Sequence, residues 1–289
     1  MTLFILGSIN ADHAYSVPRL PGPGETVAAG SLASGLGGKG ANQSVAAARA
    51  GAEVVHIGAV GHDGGWAVER LAGYGVQTHA IDRKDELTTG HAVICVDPMG
   101  ENQIIVYPGA NRALTLHQLK TLDAAEPDDW LLLQNETNLQ VEAARQAVTA
   151  GASVAYSAAP FDVDAVRAIL PLIDLLLLNA VEAAQLCEAL GVTLAELPIP
   201  WVVVTRGADG VDWHEGGKIL SVPAHPVDVV DTTGAGDTFA GYLVAGLSQG
   251  MAPDSALRLA SAAAAIQITQ VGAADAIPTR AQVDALVKA

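Results

Sequence analysis

Apolar residues in this chain fall into short runs closed by glycine or asparagine, with Ala-rich stretches of helical period between them. Residues 2–7, 53–59, 130–134, 153–157, 174–178 and 201–205 are short, mostly apolar runs. That is the pattern of strands buried on both faces, not of a half-exposed sheet. Helical patterns fill 40–50, 64–73, 139–150, 162–169 and 180–190. The alternation predicts a largely parallel sheet with helices on both faces. Further on, 236–249, 254–270 and 280–288 predict three helices with little strand between them.

Two segments break this rhythm. Residues 12–33 carry three prolines and a strand-like stretch, ETVAAGSLA; residues 90–107 predict two strands about a turn at Pro98–Asn102. Such strands do not join a parallel core easily. They predict one small accessory sheet, a candidate lid over a pocket; the plainer alternative is a pair of edge hairpins. No internal repeat or linker divides the sequence, so one domain over 1–289 is expected, with the lid segments inserted in it.

Composition narrows the function. A net charge of −16 opposes nonspecific binding to nucleic acid or anionic lipid, and aromatics at 4% offer few stacking platforms for bases. Neither nucleic acid nor membrane is an expected partner. Cys95 and Cys187 lie in apolar stretches and are expected to be buried thiols. The first residues read as a strand without a basic region or cleavage site, and the LLLLNA run is too short to span a bilayer, so a cytoplasmic location is expected.

Two glycine motifs mislead. GLGGKG (35–40) matches G-x-G-x-x-G, but it does not open directly off the first strand, as a dinucleotide fingerprint should. A nicotinamide dehydrogenase would also need an acidic residue at a strand end beyond these glycines, and Glu53 begins a strand instead. The P-loop pattern fails as well, because Gly38–Lys39 is followed by Gly40, not Ser or Thr. DTTGAGDTFAG (231–241) carries more chemistry. Gly234, Ala235 and Gly236 precede an apolar helical run, so their N–H groups can converge on an anion at a helix N-terminus. Asp237 falls in the first turn. A carboxylate beside an anion hole makes sense if it takes a proton from a hydroxyl while the hole stabilises the phosphoryl group under attack. The bland alternative is a glycine turn with Asp237 as a helix cap.

This string resembles the C-terminal signature of the ribokinase family of carbohydrate and nucleoside kinases, and GGKGANQSVAAARAGAEV (37–54) resembles its N-terminal signature. The resemblance runs over essentially the whole chain. It implies a doubly wound three-layer α/β/α sandwich with a small β-sheet lid. It implies ATP-dependent phosphorylation of a small sugar, with Asp237 as base and Gly234, Ala235 and Gly236 as anion hole. Asn10, Asp12, Gly38, Lys39, Asn42 and Glu136 match sugar contacts, and with Asp237 they reproduce the ribose set. Unaided, Asn10 and Asp12 read as a turn and 37–42 as a glycine-rich helix start.

On the nucleotide side the resemblance implies ATP contacts by Asn179, Thr205, Arg206, Gly207, Ala208, Asp209, Gly210, Gly236 and Ser261, and hydrated magnesium near Glu182. Without it, Glu182 is a helix-surface acid and TRGADG (205–210) a strand-to-hairpin turn. A potassium site is implied at Asp231, Thr233, Gln267, Gln270, Gly272 and Ala276, and a homodimer that pairs its lids. The chain departs from the family at Ala276, where Ser is common, at SAAP (157–160), at Ser261, and in a short stretch between Glu182 and Thr205. Another pentose, a hexose or a nucleoside is the alternative substrate. A noncatalytic sugar sensor on the same fold would be expected to lose the base or the anion hole, and both are present.

Overall fold

Both faces of β1 (Thr2–Leu6) are buried, and its side chains divide the interior in two. The structure, a computed structural model, describes residues 1–288. After β1 come β2 (Asn10–Ser16) and β3 (Ser31–Gly37), then α1 (Lys39–Arg49), β4 (Glu53–Gly61), α2 (Gly65–Gly73) and β5 (Gln77–Lys84). Next are β6 (Gly90–Val96), β7 (Asn102–Tyr107) and the short α3 (Leu116–Leu119). An alternating series follows: β8 (Trp130–Gln134), α4 (Gln140–Ala150), β9 (Ser153–Ser157), α5 (Val163–Ile169), β10 (Leu175–Asn179), α6 (Ala180–Leu190) and β11 (Trp201–Thr205). The hairpin β12 (Val211–Glu215) and β13 (Lys218–Val222) leads to α7 (Ala235–Ser248), α8 (Pro253–Gln267) and α9 (Arg280–Val287).

The main sheet runs β13-β12-β11-β10-β9-β8-β1-β4-β5, parallel from β11 to β5 and antiparallel in the β12–β13 hairpin. Leu3 and Ile5 of β1 face α1, α2, α7, α8 and α9 through Val45, Leu71, Leu243, Leu259 and Val283. Phe4 and Leu6 face the other layer, with Leu119, Ala144, Val166 and Leu186 from α3 to α6. This is the expected three-layer sandwich. The chain runs outward from β1 through β4 to β5, then returns to β8 on β1's other side. The sheet's switch point therefore lies between β1 and β8, where a doubly wound sheet opens a crevice at its strand C-termini.

The two irregular segments do form one small sheet, ordered β3-β2-β6-β7. The strand expected across 25–33 starts only at Ser31. Pro18, Pro21 and Pro23 cannot donate to a ladder, and Pro23 lies inside a turn closed between Gly22 and Glu25. Four strands had no legible pattern. β2 holds Asn10 and Asp12, which read as a turn, in extended backbone paired to β3 and β6. β5 is a polar edge strand, and β12 and β13 form an antiparallel edge around Gly216–Gly217. Cys95 and Cys187 are free thiols, half-buried instead of buried.

The joint that matters for the site is glycine on glycine. A Cβ on Gly40 would stand 2.4 Å from the Gly7 carbonyl carbon, so α1 reaches the end of β1 only because neither residue has a side chain. We predict that Gly40→Ala lowers stability by roughly 1–3 kcal/mol through overpacking. Urea unfolding measures it; an unchanged midpoint would show that α1 can move aside freely.

Candidate active site

The switch-point crevice collects polar groups from β1, β2, β8, α1 and α7. α1 starts at Lys39 after Gly38, whose φ of 90° is open to glycine and strained for other residues. α7 lies against α1 as closely as α1 lies on β1: a Cβ on Gly241 would meet Ala46 Cβ and Gln43 O at 2.5 Å. That approach buries Asp237, the third residue of α7, against α1. Its Oδ2 accepts from Asn42 Nδ2 (3.0 Å) and its Oδ1 from Gln43 Nε2 (3.1 Å). Gln134, closing β8, donates to Gln43 Oε1 (2.7 Å) and so fixes the amide that holds Asp237. Asn42 Oδ1 is buried without a partner. An unmet acceptor beside a carboxylate is a place for a hydroxyl donor.

The remaining candidate sugar contacts share this crevice. Glu136 Oε2 accepts from Ser8 Oγ and from the Lys39 backbone N–H (3.1 Å), and Ser8 Oγ also accepts from Gly40 N–H (3.3 Å). Asn10 is buried on β2, where its Oδ1 accepts from Asn111 Nδ2 (2.8 Å), and Asn111 Oδ1 accepts from Ile9 N–H (2.9 Å). Burial, helped by the charges of Glu136 and Asp237, pushes the Asp12 carboxyl up to about 6. Lys39 is pushed above its ordinary value, chiefly by Asp237 and further by Glu136 and Glu182, against the effect of burial. Three carboxyls around one ammonium suit an uncharged polyol, whose hydroxyls donate to them, better than an anion.

A cavity of about 290 Å³ opens from Asp237 toward the ends of β10 and β11. Lys39, Asn179, Glu182, Thr205, Gly234 and Gly236 are on its wall. Asn179 and Glu182 lock each other in a reciprocal cap of α6: Glu182 Oε2 accepts from Asn179 N–H (2.8 Å) and Asn179 Oδ1 from Glu182 N–H (2.9 Å). One pair of residues thus both starts the helix and faces the cavity. Gly234, at φ 75°, is the N-cap of α7, so the N–H groups of Gly236 and Asp237 in its first turn have no intrahelical acceptor. Ala235 differs, since its N–H is donated to Thr232 O (3.2 Å).

Not every expected residue reaches this wall. Arg206, Gly207, Ala208 and Asp209 form an exposed turn, with Arg206 paired to Asp212 at 3.0 Å, and Gly210 is buried beyond it. Ser261 is half-buried on α8. The expected potassium ligands depart most. Asp231 spends both oxygens on backbone N–H groups, those of Thr233 and Gly272, each at 2.9 Å. The carbonyls of Thr233, Gly272 and Ala273 converge on Gln267 Nε2 at 3.1, 3.0 and 3.1 Å. Ala276 has no side-chain oxygen, and Gln270 is exposed. This donor set is already satisfied from within and does not fit a potassium ion.

Sequence reasoning missed Ser8, Gln43, Asn111 and Gln134. Gln134 left the clearest signal, as a polar residue ending the apolar run WLLLQ. Gln43 lies beside Asn42 in the matched motif, and Asn111 in the turn after β7.

Comparison with known proteins agrees with this geometry. A family profile, pfkB family carbohydrate kinase, matches residues 2–280. The chain is 40% identical to the ribokinase of Haemophilus influenzae, over 96% of each sequence, and 33% identical to that of Bacillus subtilis, over 98% of each. The structure of Arabidopsis thaliana ribokinase complexed with ribose and ATP superposes with a TM-score of 0.88 at 30% identity, covering 99% of this chain and 98% of that one. By its signatures, its fold and its full-length relatives, the chain belongs to the pfkB family of carbohydrate kinases.

Proposed function

We propose that this kinase transfers the γ-phosphoryl group of ATP to the 5-hydroxyl of D-ribose, with Asp237 as the base. One observation carries the reading: Asp237 belongs to both halves of the site. Its carboxylate is held by Asn42 and Gln43 among the candidate sugar contacts, while the first turn that bears it walls the cavity beside Asn179, Glu182 and Thr205. A hydroxyl seated at Asp237 would therefore face a phosphoryl group seated at the N-terminus of α7. Asp237 takes the proton, and the amides of Gly234, Gly236 and Asp237 with the Lys39 ammonium offset the negative charge on the phosphoryl oxygens. Asn10, Asp12, Asn42 and Glu136 orient the sugar. The small sheet closes over it and keeps water from the phosphoryl group.

Glu182 fits a magnesium ion held through water. One of its oxygens serves the helix cap and the other has no hydrogen-bond partner among the described residues, while no cluster of three or more His, Cys, Asp or Glu among them could hold a metal directly. Magnesium bound there would neutralise phosphate oxygens. Residues 1–289 are read as one kinase domain, since one buried layer draws on elements from β1 to α9 and the other on elements from β1 to β11. A homodimer through the small sheet would cover Ile104, Ile105, Val106 and Tyr107 of β7, which are 50–70% exposed. A cytoplasmic location suits a kinase that draws on ATP. No helix among the described residues is long and apolar enough to cross a membrane.

With MgATP and a panel of ribose, 2-deoxyribose, other pentoses, hexoses and nucleosides, ADP release is expected to be strongest for ribose. Preference for another member would replace the sugar and keep the mechanism. Asp237→Asn is expected to lower kcat by about 10²–10⁴-fold while ribose still binds; near-normal turnover would remove Asp237 from the base role. Asp12 gives a pH test. Its carboxyl is raised from 3.8 to about 6, so ionisation above that pH costs the folded state. Asp12→Asn should therefore weaken ribose binding yet stabilise the free protein by roughly 1–3 kcal/mol above pH ~6. The gain should vanish below pH ~4, where Asp12 is protonated folded and unfolded alike. Denaturant titrations from pH 4 to 8 read this, and a gain independent of pH would show that burial of the charge is not its source.

A further inference from the structure

The carbonyls of Thr233, Gly272 and Ala273 turn toward one point, and that point is a side-chain nitrogen of this chain. Gln267 closes α8 and is fully buried. Its Nε2 holds the three carbonyls, and its Oε1 accepts from Thr238 Oγ1 at 3.0 Å. The positions of these partners give the arrangement its meaning. Thr233 immediately precedes Gly234, the cap of α7, and Thr238 immediately follows Asp237. A single amide therefore ties down the backbone on both sides of the proposed anion hole and base. Gly234 itself lies close to it, since a Cβ there would approach Gln267 Nε2 at 3.4 Å.

Converging carbonyls repel one another through their partial negative charges, and something electropositive must sit among them. A monovalent cation is one solution. An amide NH₂ is another: it supplies two hydrogens, shared here among three acceptors at ordinary hydrogen-bond lengths. Asp231 is likewise engaged from within the chain, each of its oxygens accepting from one backbone N–H group, that of Thr233 or Gly272. We infer that the Gln267 amide does the work of a bound monovalent cation in this protein, fixing the N-terminal turn of α7, so that phosphoryl transfer needs no potassium. Gln267 is then a positioning residue that acts through the Thr233–Gly234 backbone. This inference rests on the kinase reading for its effect on rate, but the occupancy of the carbonyl cluster is independent of any activity.

The experiment compares the wild-type protein and Gln267→Ala in potassium, sodium and N-methyl-D-glucamine chloride at equal ionic strength. Two readouts are taken: ribose-dependent ADP release and the thermal midpoint without substrates. The wild type is expected to give the same rate and the same midpoint in all three salts. Gln267→Ala leaves the carbonyls facing a space that a cation can enter. Its kcat should fall roughly 10–100-fold in N-methyl-D-glucamine, through misplacement of the anion hole, and recover in potassium, with a potassium-specific rise in its midpoint. Potassium-specific activation or stabilisation of the wild type would overturn the inference. So would a folded variant with unchanged kcat in all three salts. Should the variant fail to fold, the wild-type midpoints alone decide the matter. If ribose proves the wrong sugar, the midpoints still report on the carbonyl cluster.

Discussion

The site depends on how closely three backbones approach at the end of β1. Gly40 of α1 lies on Gly7, and Gly241 of α7 lies on Gln43 and Ala46 of α1, each at a separation that leaves no room for a Cβ. Helix–helix contact this close carries the first turn of α7 into the crevice between β1 and β8. Asp237 then becomes buried with two side-chain amides for company and no cation bonded to it. A buried carboxylate needs hydrogen-bond donors, and Asn42 and Gln43 supply them while leaving its charge intact. The glycines of the two signatures are thus packing residues first. Their chemical importance follows from the carboxylate they allow the fold to bury.

The charges around Asp237 are arranged against stability. Asp12 is raised to about 6 by burial first, and then by the charges of Glu136 and Asp237 near it. Lys39 is held in the charged form by Asp237 first and by Glu136 and Glu182 further, against its burial. Such a cluster disfavours anions on the proposed sugar side, while the amide-lined turn of α7 and Lys39 favour them on the proposed nucleotide side. The overall acidity of the chain, at −16, therefore does not decide what it binds; the local alternation of charge over a few residues does.

Much of this was legible in the sequence because it rests on local patterns. The inner parallel strands were mostly apolar runs, and the proposed base lay in a glycine-rich turn before an apolar helix. The misses are those of long-range pairing. β5 and β13 are the two edges of the main sheet and β12 lies next to β13; all three are partly exposed, and nothing in their own sequence marks the neighbour they join. Gln134 and Gln43 are 91 residues apart and acquire meaning only when β8 and α1 meet. Glu182 unaided reads as a helix-surface acid, while the resemblance makes Asn179 an ATP contact and Glu182 a magnesium residue; the structure places the two as a helix cap on the cavity wall. The potassium ligands were carried over position by position. Position matching does not show that the side chain of Gln267, at one of those positions, folds into the space the carbonyls leave.

A single shared carboxylate between the two halves of the site requires that the phosphoryl group pass directly from ATP to the sugar. Stereochemistry at phosphorus tests this most directly. With ATP made chiral at the γ-phosphorus by oxygen isotopes, the sugar phosphate product should show inverted configuration, the mark of one in-line displacement. Retention would mean two displacements through a phosphorylated protein group, and would contradict the account of Asp237 as a base that acts on the sugar hydroxyl.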